Sequence, residues 1–197
     1  LSFEVGGFVH NDADIEQHFG ATSYRTLGLR LGFAALRNKT PADLGRWHRF
    51  GLVVGLGWNR GARSSTTFGP YDAFRGDVPG WNNTFTVDTV LAGLRADVDI
   101  ANVVYPFVRA EVGVAIGSVA LDGGTRDPLT RIGVAPAGVF TVGTEILLPD
   151  RKLGWPMSAA ITFEGGGQVA APLTFPDFGG DFALSGGLAR VSFGLRL

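Results

Sequence analysis

Apolar positions recur at every second residue in eight stretches of the chain, approximately 1–10, 24–36, 48–59, 84–100, 105–119, 134–148, 157–168 and 182–197. Period two marks a strand with two unlike faces, because successive side chains point to opposite sides of a sheet. In the last stretch Ala189, Val191, Phe193, Leu195 and Leu197 share one parity, and Leu188, Arg190, Ser192, Gly194 and Arg196 the other. The apolar parity holds Leu27, Leu29, Leu31 and Phe33, then Leu52, Val54, Leu56 and Trp58, then Val90, Ala92, Leu94, Ala96 and Val98. Downstream it continues through Val108 to Ile116, Phe140 to Leu148, and Ala159, Ile161 and Phe163. None of these positions is charged. An Arg or Lys at the bilayer midplane costs about 2–4 kcal/mol, so an uncharged apolar face is what lipid contact demands.

The connections alternate in character. Those at 37–47, 101–104 and 149–156 are short or turn-like, whereas 11–23, 60–83, 120–133 and 169–181 are longer and richer in polar residues and glycine. Turns at one end and loops at the other describe an all-β fold: an eight-stranded antiparallel up-and-down transmembrane β-barrel with short periplasmic turns and longer extracellular loops. With no linker or shift in composition, residues 1–197 are expected to form a single domain. Aromatics near the expected strand ends suggest two interfacial girdles, Trp47, Phe50, Tyr105 and Trp155 at the turn end and Trp58, Trp81 and Phe85 at the loop end.

The opposite parity carries Glu4, Arg30, Arg95, Asp97, Arg109, Glu111, Glu145, Glu164 and Arg190, spaced mostly by Gly, Ala, Ser and Thr. A turn centred on Val103 would set Arg95 opposite Glu111 and Asp97 opposite Arg109, within reach of cross-strand salt bridges. An eight-stranded barrel is just wide enough for side chains to fill, which suggests a lumen plugged by ion pairs with little room for water. A narrow ion or small-solute channel, opened by rearrangement of those pairs, is the alternative. A lipocalin-like carrier would turn the apolar parity inward and leave a Gly- and Ala-rich surface facing water, which suits a soluble protein poorly.

Composition narrows the setting. Only 18% of residues are charged, the net charge is −1 and cysteine is absent. Nucleic-acid binding is not expected, since no basic stripe exists to displace phosphate counterions. Thirty glycines fit small inward-facing positions. No apolar run reaches the length of a membrane helix, so a membrane role must use strands. The chain is expected to be a mature one, its signal peptide removed, in the bacterial outer membrane.

Candidate chemistry is sparse. The segment His10-Asn11-Asp12-Ala13-Asp14-Ile15-Glu16-Gln17-His18 alternates acids but lacks the turn glycine and closing Glu of a calcium loop, and its two histidines have no third zinc ligand. Neither a metal nor another cofactor is expected. Ser64 and Ser65, with His10 or His18, are the most that a lipid-modifying enzyme could use, and no motif supports them. His48, with Arg37, Lys39, Arg46 and Arg49, reads as a basic periplasmic rim. The longest loop mixes Arg60, Arg63, Phe68, Tyr71, Phe74, Arg75 and Trp81, a composition typical of contact surfaces and suited to phosphate. It is the candidate site for a protein partner or for lipopolysaccharide.

With its eight alternating strands, loop and turn asymmetry, charged lumen and final Leu188-Ala189-Arg190-Val191-Ser192-Phe193-Gly194-Leu195-Arg196-Leu197, the chain resembles the small outer-membrane barrels of the OmpA/OmpX type. Such barrels usually end on Phe or Trp where this one has Leu197. The resemblance implies adhesion, membrane anchoring, narrow conductance or lipid modification, and the fold does not choose among them. The expected function is that of a non-enzymatic outer-membrane barrel acting through its extracellular loops, among outer-membrane lipids.

Overall fold

The computed structural model describes residues 1–10, 23–37, 49–65, 82–101, 103–122, 129–148, 158–175 and 180–196. Eight strands close into one antiparallel barrel: β1 (Ser2–His10), β2 (Ser23–Arg37), β3 (Arg49–Ser65), β4 (Asn82–Asp99), β5 (Val104–Asp122), β6 (Leu129–Leu148), β7 (Ser158–Ala170) and β10 (Gly186–Arg196). Each strand pairs with its neighbour in sequence, and β1 closes the ring against β10 with Ser2 opposite Gly194 and His10 opposite Gly186. Between β7 and β10 the chain makes a separate two-stranded hairpin, β8 (Leu173–Phe175) and β9 (Gly180–Phe182).

The apolar parity faces outward on every wall. Leu27, Leu29, Leu31 and Phe33, Val54, Leu56 and Trp58, Leu94, Val108, Val112, Phe140, Val142, Phe163, Phe193 and Leu195 are all exposed. A band of side chains this apolar is stable only against lipid, so the outward face is the membrane face. The lipocalin arrangement, which requires the same residues inside, is excluded by this geometry. Among the described residues no helix is long and apolar enough to cross a membrane, and the crossing is made by strands.

Strands β3 to β6 run for 17, 18, 19 and 20 residues. About 9–11 residues suffice to span a bilayer, so these four strands continue past the apolar band at the loop end. On the outward face of β4 the band stops at Val90, with Asp88, Thr86 and Thr84 above it; on β3 it stops at Trp58, with Arg60, Ala62 and Ser64 above. The sequence placed 60–83 and 120–133 in loops, but strand pairing holds through Ser65 and from Asn82, and through Asp122 and from Leu129. Polar residues do not end a strand whose ladder hydrogen bonds continue in water.

The β4–β5 turn is centred one residue earlier than expected. Ile100 pairs with Val104 in an isolated bridge, and Ala101 takes a left-handed φ of 58° within the turn. Moving the centre of a hairpin by one residue moves every cross-strand partner by two. Arg95 therefore lies opposite Arg109, Glu111 opposite Gly93, and Asp97 opposite Phe107, in place of the two expected charge pairs.

Candidate functional site: a two-level lumen and a basic rim

All nine charges expected in the lumen point inward, and they form two ion-pair groups that meet at the ring of Phe107. Arg30 on β2 reaches Glu4 on β1 at 2.6 Å through Nε and, across the barrel, ion-pairs with Glu111 on β5. Arg190 on β10 lies between Glu4 at 3.1 Å and Glu164 at 3.0 Å. Arg109 donates to Glu164 at 2.7 Å over the intervening strand β6, and Arg95 meets Glu145 at 2.7 Å and Asp97 at 3.2 Å. The two guanidiniums that share a register do not collide, because each stacks on Phe107, Arg95 at 4.3 Å and Arg109 at 5.0 Å from the ring centroid. Cation–π contact replaces the direct pairing that the sequence suggested.

Polar neighbours complete the network. Thr141 donates to Glu164 at 3.3 Å, and the Asn59 amide, missed by sequence reasoning, donates to Glu4 at 3.2 Å while accepting from Arg190 at 3.2 Å. Asn59 was legible only as an inward-parity residue at the end of an expected strand. Its space exists because the facing residue is Gly28, where a Cβ would overlap the Asn59 side chain. Between the network and the turn end lies a vestibule of about 400 Å³, bounded among others by Arg30, Arg95, Arg109, Asp97, Glu111 and Glu145. The lumen thus holds much more open space at this level than barrel width alone implied.

Toward the loop end the inward parity changes chemistry. Phe8, Tyr24, Phe85, Val87, Leu91, Ala115, Val119, Ala135, Ala137 and Val139 form an apolar cluster. Its centre is filled by the β8–β9 hairpin, whose Leu173, Phe175, Phe182 and the adjoining Leu184 have at most 1% of their surface exposed. Phe182 packs on Phe85 with ring centroids 5.9 Å apart and on Phe175 at 5.5 Å. Leu173 and Phe175 sit against inward-facing Gly117 and Gly133; a Cβ at Gly133 would lie 3.3 Å from both side chains, so the wall is hollowed where the hairpin seats. Gln168 donates to the Leu184 carbonyl at 3.0 Å and the Ala171 amide to the Pro136 carbonyl at 3.1 Å, tying the base of the segment to the wall. Burying four large apolar side chains stabilises this arrangement by roughly 6–12 kcal/mol as an upper estimate.

The sequence read 169–181 as a polar loop, and that expectation is corrected here. The missed signal was alternation too short to score: Leu173-Thr174-Phe175 and Phe182-Ala183-Leu184 flank Pro176-Asp177-Phe178-Gly179-Gly180. Two expected girdle residues also turn inward: Phe85 and Tyr105 are buried because both fall on the lumen parity. Phe50 and Trp58 do face outward at the two edges of the band. Trp47, Trp81 and Trp155 lie outside the described residues.

Of the expected loop contacts, Arg60 and Arg63 belong to β3, while Phe68, Tyr71, Phe74, Arg75 and Trp81 lie outside the described residues. Arg60 is outward-facing immediately above the apolar band. It makes a two-point contact with Asp88 at 2.8 and 2.9 Å and lies 5.9 Å from the Trp58 ring, whose Nε1 also donates to Asp88 at 3.1 Å. Arg63 faces the other way, its Nη1 donating to the Ser23 carbonyl at 3.4 Å. Arg25 on β2 is exposed opposite Ala62, one outward step above the Leu27–Arg60 pair. Arg25 and Arg60 are thus neighbours on one outer face, at headgroup depth.

Ser64 faces outward on β3, whereas His10 ends β1 opposite Gly186, and His18 and His48 lie outside the described residues. Among the described residues no group of three potential metal ligands comes together.

No protein-family model matches the chain, and no curated protein matches it significantly. Among solved structures, the chain is similar to Ail, the attachment invasion locus protein of Yersinia pestis, solved in complex with the heparin analogue sucrose octasulfate. The identity is 12% and the TM-score 0.48, over 100% of this chain and 97% of that one.

Proposed function

We propose that this protein is a non-enzymatic barrel of the bacterial outer membrane, plugged across its lumen, that acts at the cell surface through its loop end. The observation that carries this reading is the filling of the barrel cross-section at two successive levels, by ion pairs and then by an apolar hairpin. A lumen spent on packing leaves the outer rim and loops as the place where contacts are made. Strands β3 and β4 continue past the apolar band, and the sequence that joins them carries Phe68, Tyr71, Phe74, Arg75 and Trp81. Beneath it, Arg25 and Arg60 stand above Leu27 and Trp58, an arrangement that suits the phosphates of lipopolysaccharide whose acyl chains cover the band.

The test is deletion of residues 67–80 from the purified, refolded barrel. The barrel should remain folded, as read by its heat-dependent shift in gel mobility. Binding to vesicles containing lipopolysaccharide should fall at least about tenfold relative to the full chain, the change that loss of one or two charge-assisted contacts produces. Undiminished binding would sink the loop reading.

A further inference from the structure

Above the apolar band, the outward wall of β3 to β6 rises in rows of paired residues. The first row sets Arg60 beside Asp88. In the next two rows, eight outward positions carry five hydroxyls, Ser64, Thr84, Thr86, Ser118 and Thr130, and the other three are Ala62, Ala120 and Ile132. None of the eight is charged. Such a face suits neither lipid tails nor bulk water. Tails would leave the hydroxyls without hydrogen-bond partners, whereas the water-facing surface of a small protein carries Lys, Arg, Glu or Asp at about a quarter to a third of its positions. Apart from Ile132, every side chain in these two rows is Ala, Ser or Thr. The face is therefore flat, with no long side chain to hold a partner off, and each hydroxyl can both donate and accept.

Height decides what such a face meets. Ser64 stands two outward steps beyond Arg60 on β3, roughly 13 Å along the strand. A strand tilted by about 40° then gains about 10 Å along the membrane normal. The headgroup layer of a phospholipid bilayer is only about 5–8 Å deep on each side, so the upper rows rise out of it. In lipopolysaccharide the space above the phosphates is filled by sugar, a neighbour rich in groups that donate and accept. We propose, resting on the phosphate reading of Arg25 and Arg60 above, that this outward sheet face is a docking surface for the core saccharide of lipopolysaccharide. The hydroxyls of Ser64, Thr84, Thr86 and Ser118 bond the sugar, and the two guanidiniums hold the phosphates. The face is continuous with the membrane band through Trp58 and Arg60 on β3, and Arg25, opposite Ala62, places a second cation beside it. That continuity favours a molecule anchored in the membrane over a soluble partner.

The experiment measures binding of the full chain, refolded in a zwitterionic detergent, to two immobilised glycolipids. One is lipid A, with phosphates and acyl chains; the other is lipopolysaccharide with a complete core and no O-chain. The core-bearing glycolipid should bind at least about tenfold more tightly, the increment that two hydrogen bonds supply. Joint substitution Thr84→Val and Thr86→Val removes two hydroxyls at nearly constant shape, with a residue that strands favour. It should bring the two affinities to within about threefold of each other while leaving lipid A binding and the thermal midpoint as they were. Arg25→Ala should weaken both glycolipids alike. Equal binding of the two by the parent, or a preference for the core that survives in the double variant, would overturn the docking surface and leave the phosphate reading standing. Undiminished binding of both glycolipids by Arg25→Ala, or binding of neither by the folded parent, would overturn the phosphate reading and the docking surface together.

Discussion

On the turn side of Asn59 the lumen is crossed by charged side chains, with an open vestibule between them and the turns; on the loop side it is filled by apolar ones, four of them supplied by an inserted segment. Both halves are equally inaccessible from the membrane, yet they hold together for different reasons. In the charged half each group is stable only because another is present, so the energy lies in the connections: Arg190 bridges Glu4 and Glu164. Within the apolar half the energy scales with area, and each side chain contributes separately. Damage should therefore spread through the first and stay local in the second.

The sharpest way to break that comparison is Glu164→Ala, which deprives Arg109 of its carboxylate and Arg190 of one of two. Leaving a buried charge uncompensated costs about 3–5 kcal/mol, so the midpoint of urea unfolding in micelles should fall strongly, and Arg109→Met in the same chain should restore much of the loss. No rescue by the second substitution would mean that the network is not the source of the effect.

Phe175→Ala should cost somewhat less, about 3 kcal/mol, and should confine its effect to the hairpin. Limited proteolysis is expected to cut within 171–185 while the eight barrel strands stay intact. In planar bilayers the variant should remain electrically silent, because the charged level persists beneath the opened one. Discrete current steps from Phe175→Ala would show instead that the apolar level alone closes the barrel and would revive the channel reading.

The smallest effect belongs to neither half of the lumen. Arg60→Ala on the outer rim leaves an exposed pair undone, and surface pairs contribute little, so unfolding should be unchanged. The Trp58 fluorescence emission should nevertheless shift, since its ring loses the adjacent guanidinium and Asp88, which accepts from the Trp58 Nε1–H, loses its ion-pair partner. A large drop in stability here would contradict the placement of Arg60 in water above the membrane band.

The alternation of large apolar residues with small or charged ones determined the fold, because a strand's side chains have only two directions and only one assignment puts Arg30, Arg95, Arg109 and Arg190 away from lipid. The nine lumen charges were legible for the same reason. Their partners were not. Pairing between adjacent strands depends on a turn centre that the sequence misjudged by one residue, and Arg109 with Glu164 or Arg30 with Glu111 skip over strands altogether, a relation that exists only once the barrel closes. The outward edge of the band at Trp58 and Arg60 was visible in residue type, but not that the strand continues beyond it. Nor could the sequence decide that Leu173, Phe175, Phe182 and Leu184 turn inward. Two three-residue apolar patches carry no periodic signal of their own, and the hollow at Gly117 and Gly133 that receives them is assembled from two other strands. Parity is local and is written residue by residue; partnership and filling are properties of the closed volume, and only the tertiary structure decides them.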